Sequence, residues 1–167
     1  MKKILYLILS LILVSTGYSQ TAKEYCNRGN AKSGLEDYTG AIEDYTKAIK
    51  INPKYEKAYI DRGDAKNNLE DNMGAFADYA KAIAINPKSK LAYYGRLRVH
   101  NSLSDNSGAI ADCTKIIEID PKDAPAYWQR GVLRIKLGQK ESGCLDLSKA
   151  GELGLAHAYD DIKRYCQ

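Results

Sequence analysis

Few side chains in this chain are of the types that do chemistry: four cysteines, two histidines, and arginines and aspartates that recur at one fixed interval. Cys26, Cys113, Cys144 and Cys166 allow three fully paired disulfide connectivities, and a lone thiol can act as a nucleophile. His100 and His157 lie far apart, and no HxxE, HExxH or CxxC spacing occurs. No Gly-rich phosphate loop occurs either. Nothing here supports a metal, a cofactor or catalysis. Arg28, Arg62, Arg96 and Arg130 are 34 residues apart, as are Asp44, Asp78, Asp112 and Asp146. Lys47, Lys81, Lys115 and Lys149 follow each Asp by three residues, on the same helical face. Such a set is either a charged binding track or a repeated structural ion pair.

The interval itself demands an architecture. Pro53, Pro87 and Pro121 share it, each preceded by Asn or Asp and by an Ala/Ile-rich run. A fixed period of this length means one small unit copied along the chain, and such units bury their apolar faces only by stacking. The copies are 22–55, 56–89, 90–123 and 124–157. Each has an aromatic at its fourth place (Tyr25, Tyr59, Tyr93, Tyr127) and Arg at its seventh. Gly stands at the eighth in three copies, and Ala41, Ala75, Ala109 and Gly143 at the twentieth. Apolar spacing of three to four predicts two amphipathic helices per copy, roughly 22–35 and 38–51 in the first. Asp37, Asp71 and Asp105 precede the second helix, where a carboxylate caps free N–H groups. The proline ends that helix. In the third copy Leu97 replaces Gly and Ile116 replaces Ala, which predicts a locally wider helix spacing. After the fourth, Ala158, Tyr159, Ile162 and Tyr165 restart the first-helix pattern, predicting a capping helix at about 156–166.

Over residues 22–157 this pattern resembles the tetratricopeptide repeat family: period, aromatic, small-residue and proline places agree together. The resemblance implies an all-α fold, a right-handed solenoid of four helix pairs closed by the capping helix. It also favours the structural reading of the charges, because each Arg occupies a place where the family has a core-facing Leu. In the family the first helix of each pair lines a concave groove. Carried over, its groove places give Cys26, Asn30 and Ser33, then Ile60, Asp64, Asn67 and Asn68. Tyr94, Arg98, Asn101 and Ser102 follow, then Trp128, Val132, Ile135 and Lys136. These vary while scaffold places repeat. Members that grip a C-terminal carboxylate need basic and Asn side chains where this chain has Cys26, Asn30, Asp61, Leu91 and Gly95; only Asn30 matches.

With the helices so placed, Cys144 lies on the last second-helix and Cys166 at the end of the cap. An antiparallel turn near residue 155 brings them level, as a staple. Cys26 and Cys113 are two repeats apart and too far to meet. Cys113 takes the core place of Tyr45 and Tyr79, whereas Cys26 is expected to face the groove without a partner.

The first 19 residues are of a different kind. Lys2 and Lys3 precede the apolar run Ile4 to Val14, and Gly17-Tyr18-Ser19 offers a cleavage site before Gln20. This predicts a secretory signal; the run falls short of the ~20 apolar residues a spanning helix needs. Cleavage leaves residues 20–167 as one domain with no membrane span, periplasmic or secreted. Without Lys2 and Lys3, the 25 basic residues fall to 23 against 21 acidic ones. The interleaved charges form no basic stripe, arguing against nucleic acid. The expected function is a non-catalytic adaptor holding a peptide or protein in its groove. The rival is a structural subunit of a homo-oligomer or envelope assembly, and an enzyme using the Cys26 thiol ranks third.

Overall fold

The structure, a computed structural model, describes residues 20–167. The signal-like residues 1–19 lie outside the described residues. Nine helices follow one another among the described residues: α1 (Ala22–Gly34), α2 (Tyr38–Ile51), α3 (Glu56–Asn68), α4 (Asn72–Ile85), α5 (Lys90–Ser102), α6 (Asn106–Ile119), α7 (Ala124–Lys136), α8 (Lys140–Glu152) and α9 (Ala158–Tyr165). Each packs on the next, so the chain is an all-α solenoid of four pairs with α9 laid on α8. The first helices α1 and α3 also touch, as do α3 and α5, while no two second helices pack to that extent. First helices therefore lie on the inside of the curve.

Local chemistry sets the helix ends. Asp37, Asp71 and Asp105 accept the N–H of Gly40, Gly74 and Gly108 at 2.9, 2.9 and 3.0 Å, each satisfying one orphan donor of a second helix. The first helices end in a left-handed residue at Glu36, Glu70, Ser104 and Gly138, which turns the chain sharply towards its partner helix. Asn52, Asn86 and Asp120 each accept, at 3.1 Å, the N–H two residues on, across the proline. This side-chain turn is why Asn or Asp precedes each proline.

Three core clusters each draw on a first helix, its partner and the following first helix; one joins Cys26, Ala41, Tyr45, Ala48, Ala58 and Ala65. The arrangement makes stability local to neighbouring repeats. Small residues admit the aromatic of the partner helix: a Cβ on Gly29 would lie 2.6 Å from the Tyr45 ring. In the fourth pair the backbones themselves meet, a Cβ on Gly131 falling 2.9 Å from the Gly143 carbonyl oxygen. In the third pair Leu97 and Ile116 are both buried in one cluster, filling the places that Gly and Ala hold in the first two pairs.

The arginine–aspartate sets join the two helices of one repeat. Arg28 grips Asp44 through Nε and Nη2 at 2.7 and 2.6 Å. Arg62–Asp78, Arg96–Asp112 and Arg130–Asp146 repeat that two-pronged geometry. All four aspartates are buried, and each guanidinium stacks on the aromatic of its own helix, Tyr25, Tyr59, Tyr93 or Tyr127. The remaining prong crosses to the previous repeat: Arg62 Nη1 donates to Thr46 and Arg130 Nη1 to Thr114, at 3.0 and 3.2 Å. The lysines three residues beyond each Asp play little part. Lys47 stays 3.9 Å from Asp44, and Lys115 and Lys149 pair with Glu118 and Glu152. A different 34-residue series supplies the second basic side chain: Lys32, Lys66, His100 and Arg134, lying 3.0, 2.8, 3.6 and 2.7 Å from the buried aspartates. That series was present in the sequence and went unread, because Lys and Arg on a helix surface are commonplace.

Candidate functional site

The inner face is lined by first-helix side chains, and most of them are held by a neighbouring first helix. Asn30 on α1 reaches across to α3. With its amide nitrogen turned that way, its two protons have Asp61 Oδ2 at 3.0 Å, the Cys26 carbonyl at 3.1 Å and the Tyr45 hydroxyl oxygen at 2.9 Å within reach as acceptors. Lys57 Nζ meets the same Asp61 oxygen at 2.5 Å. Asp64 accepts the Tyr79 hydroxyl at 2.7 Å and pairs with Arg98 of α5. Burial, then the bonded Asp64, pushes the Tyr79 phenol far above its ordinary value, so it serves here as a hydroxyl donor. Between these groups a shallow depression of about 240 Å³ is lined by Asn30, Ser33, Tyr45, Asp61 and Asp64.

The other predicted groove residues fare differently. Ile60 is only 9% exposed and packs into the core beside Tyr59 and Tyr79; it is a scaffold residue, because α5 closes over it. Tyr94 donates its hydroxyl to Asp123, at the start of α7, where Lys90 Nζ also sits 2.7 Å from the carboxylate. Trp128 is half-buried; its indole Nε1 donates to Asp161 of α9 at 2.7 Å, and the His157 ring stands edge-on to it at 5.0 Å. Ile135 packs against α8, where a Cβ on Gly143 would come within 2.6 Å of it. The aromatic and aliphatic end of the predicted groove is thus occupied by the molecule itself. Asn101 is exposed, as are Asn68 and Ser102. Asn67 keeps a buried Oδ1 with no hydrogen-bond partner.

The Cys26 expectation is corrected. The residue is fully buried in the first core cluster, with its Sγ 3.4 Å from Asp61 Oδ2. Burial, reinforced by the Asp61 charge, raises its thiol above the ordinary value. It is protonated and enclosed, the reverse of a reactive nucleophile. Cys113 is likewise buried, its thiol pushed up to about 12 by desolvation. Cys144 and Cys166 meet at bonding distance, with Cα atoms 5.8 Å apart.

What the sequence reading missed on this face is the partner side of each contact: Asp61, Asp123 and Asp161. Each lies 29 to 35 residues beyond the group it meets. An acid about one repeat downstream of a groove donor was the available signal.

The helix pairs, their inner face and the period define the class. Residues 22–55 match the Tetratricopeptide repeat family model, and the whole array shares the fold of solved tetratricopeptide repeat proteins. Among solved structures it is similar to MamA, at 23% identity over 90% of this chain and 86% of that one, with a TM-score of 0.77. It is similar to YrrB, a TPR protein with an unusual peptide-binding site, at 20% identity over 81% and 70%, TM-score 0.72. The first TPR of Spaghetti (RPAP3), bound to the HSP90 peptide SRMEEVD, is 25% identical over 72% of this chain and 95% of that one, with a TM-score of 0.67. No curated protein matches the chain in sequence.

Proposed function

We propose that this protein is a non-catalytic scaffold that binds an extended peptide, or an extended segment of a partner protein, along the inner face of its first three repeats. One observation carries the reading. The ninth place of the first helix changes from Asn30 to Asp64 to Arg98 to Val132, whereas the Tyr–Arg–Asp scaffold is the same in all four repeats. Packing explains constancy; the variation falls on the inner face, where Asn30 and Asp64 stay partly exposed and Arg98 exposed despite their contacts, and a bound partner accounts for it. The depression beside Asn30 and Asp64 offers donors and acceptors to a peptide backbone. Peptide binding by the YrrB and Spaghetti structures supports the same use of the fold. Trp128 and Ile135 are left out of this surface because α8 and α9 hold them.

The reading includes export. It is supported by the residue pattern of 1–19 and by the Cys144–Cys166 pair, since bridges persist in oxidising compartments. A mature N-terminus at Gln20 would support it, and retention of Met1 in the purified native protein would remove it.

The binding test uses affinity capture from an extract of the source cells. Ser33→Arg and Asn101→Arg place bulky groups on the inner face without touching the core. Loss of a wild-type partner from both variants, with unchanged circular dichroism, is the expected result. Recovery of identical partners would show that the inner face is not the binding surface.

A further inference from the structure

We propose that α9 is a redox-latched lid, and that the Cys144–Cys166 bridge controls whether Trp128 is covered or open at the C-terminal end of the array. The inference starts from how little else holds α9. It has eight residues, and only Ala158 among them is buried. A helix this short does not persist in water unless something docks it. Tyr159 covers Gly151 of α8, its ring 2.7 Å from where a Cβ would stand, yet remains half exposed. Beyond that contact, α9 is tied by the Asp161 carboxylate under the Trp128 indole, by a Lys140 Nζ contact to the Gln167 carbonyl oxygen at 3.3 Å, and by the bridge. The bridge sits at its last turn, Cys166 being the residue that ends the helix.

Opening the latch takes two electrons and two protons. An external dithiol supplies both, closing into its own disulfide while Cys144 and Cys166 become thiols. Without the bridge the remaining ties are one indole–carboxylate bond, the half-exposed Tyr159 ring on Gly151, one edge-on ring contact with His157, one buried alanine and the Lys140 contact to the last residue. The lid then spends part of its time undocked, and Trp128 and the α8 surface beside Gly151 open together. The array itself stays folded, because its first three pairs are held by their own clusters and all four by arginine–aspartate grips.

Trp128 is the sole tryptophan of the chain, so its emission reports the lid directly. The experiment measures tryptophan emission, iodide quenching and amide exchange of the oxidised protein before and after full reduction by dithiothreitol, with thiols counted under denaturing conditions. On reduction the expected results are a red shift, a rise in quenching and faster exchange over 158–165, with α1–α4 unchanged. Reoxidation restores all three. A Cys144→Ser, Cys166→Ser variant is expected to show the reduced values and to ignore the dithiol; if it does not fold, the oxidised and reduced wild type decide alone. Complete reduction that leaves emission and quenching unchanged overturns the proposal, as does loosening spread evenly along all four repeats.

Discussion

Leu97 on α5 and Cys113 on α6 share one core cluster, both buried, and fill in the third repeat the places that Gly29 and Tyr45 fill in the first. In the first repeat a large ring lies on a glycine; in the third a large aliphatic chain lies beside a small thiol. The exchange moves volume from one helix to its partner and keeps the interior filled, as close packing requires.

A double-mutant cycle tests this compensation. Cys113→Tyr alone overpacks the cluster and is expected to lower stability by about 1–3 kcal/mol. Leu97→Gly alone leaves a cavity and is expected to lose at least ~3 kcal/mol. The double variant, which rebuilds the first-repeat arrangement, should lose less than the sum by 1 kcal/mol or more, on the order expected for contacting sites. Denaturant unfolding measures all four proteins, and simple additivity would show that the two residues do not share space.

Asp44 gives an acid-range prediction. The Arg28 guanidinium, followed by Lys32, holds its carboxyl at about 2, below the ordinary value, despite opposing desolvation. A lowered carboxylate contributes stability that is complete above its unfolded value of about 3.9 and is lost as pH falls through the folded one. The first repeat should therefore keep this contribution at pH 5 and lose it between roughly pH 4 and 2. Carbon-detected titration of the Asp44 carboxyl should find its midpoint near 2, and Arg28→Ala should move it upward. A midpoint near 4 in the wild type would sink the idea.

His100 stands where the other repeats carry Lys32, Lys66 and Arg134. Its Nδ1 lies 2.8 Å from Asp105, and its Nε2 lies 3.6 Å from buried Asp112. At Asp112 the imidazole stands in place of the Lys or Arg of the other repeats, and Arg96 alone grips the carboxylate by two prongs. His100→Lys is expected to raise stability by about 0.5–1 kcal/mol, read as a higher denaturant midpoint with unchanged slope. A lower midpoint would mean that the ring's edge contact with Phe76, at 5.4 Å, outweighs the added lysine contact.

Cys26 and Cys113 should resist alkylation. Both are buried with raised thiol values, so labelling must wait for local opening. In the oxidised native protein, iodoacetamide at pH 7.5 is expected to modify each far more slowly than a free model thiol. Modification of Cys26 at the model rate would reinstate it as a reactive site.

Much of the architecture was legible because it is repeated. The prolines, the capping aspartates and the small residues fall at one interval, so helix ends such as Tyr38–Ile51 and the C-terminal cap could be placed closely. Whether each Arg met the Asp of its own repeat was not legible, since helices on both sides lie within reach; only the coordinates choose the spacing of sixteen. The groove was read least well. Family places say which way a side chain leaves its helix and nothing of what waits one repeat on. Trp128 takes a groove place in the family pattern and is held by Asp161; Cys26 takes one too and is sealed against Asp61. Both outcomes depend on a residue far along the chain whose type has no repeat to announce it.

The cross-repeat prong of the arginines has a mechanical corollary. Arg62 ties the first seam through Thr46 and Arg130 ties the third through Thr114. At the middle seam the matching place is Ala80, and Arg96 bonds Asp112 within its own repeat. Across that seam the polar link lies on the inner face instead, between Asp64 and Arg98. The first joint carries an inner-face link as well, from Asn30 to Asp61, so the solenoid is a coil spring riveted through threonine at its first and third joints, with the second lacking that rivet. A change in curvature is expected to concentrate at that middle joint, opening or tightening the inner face as one half-array rotates against the other.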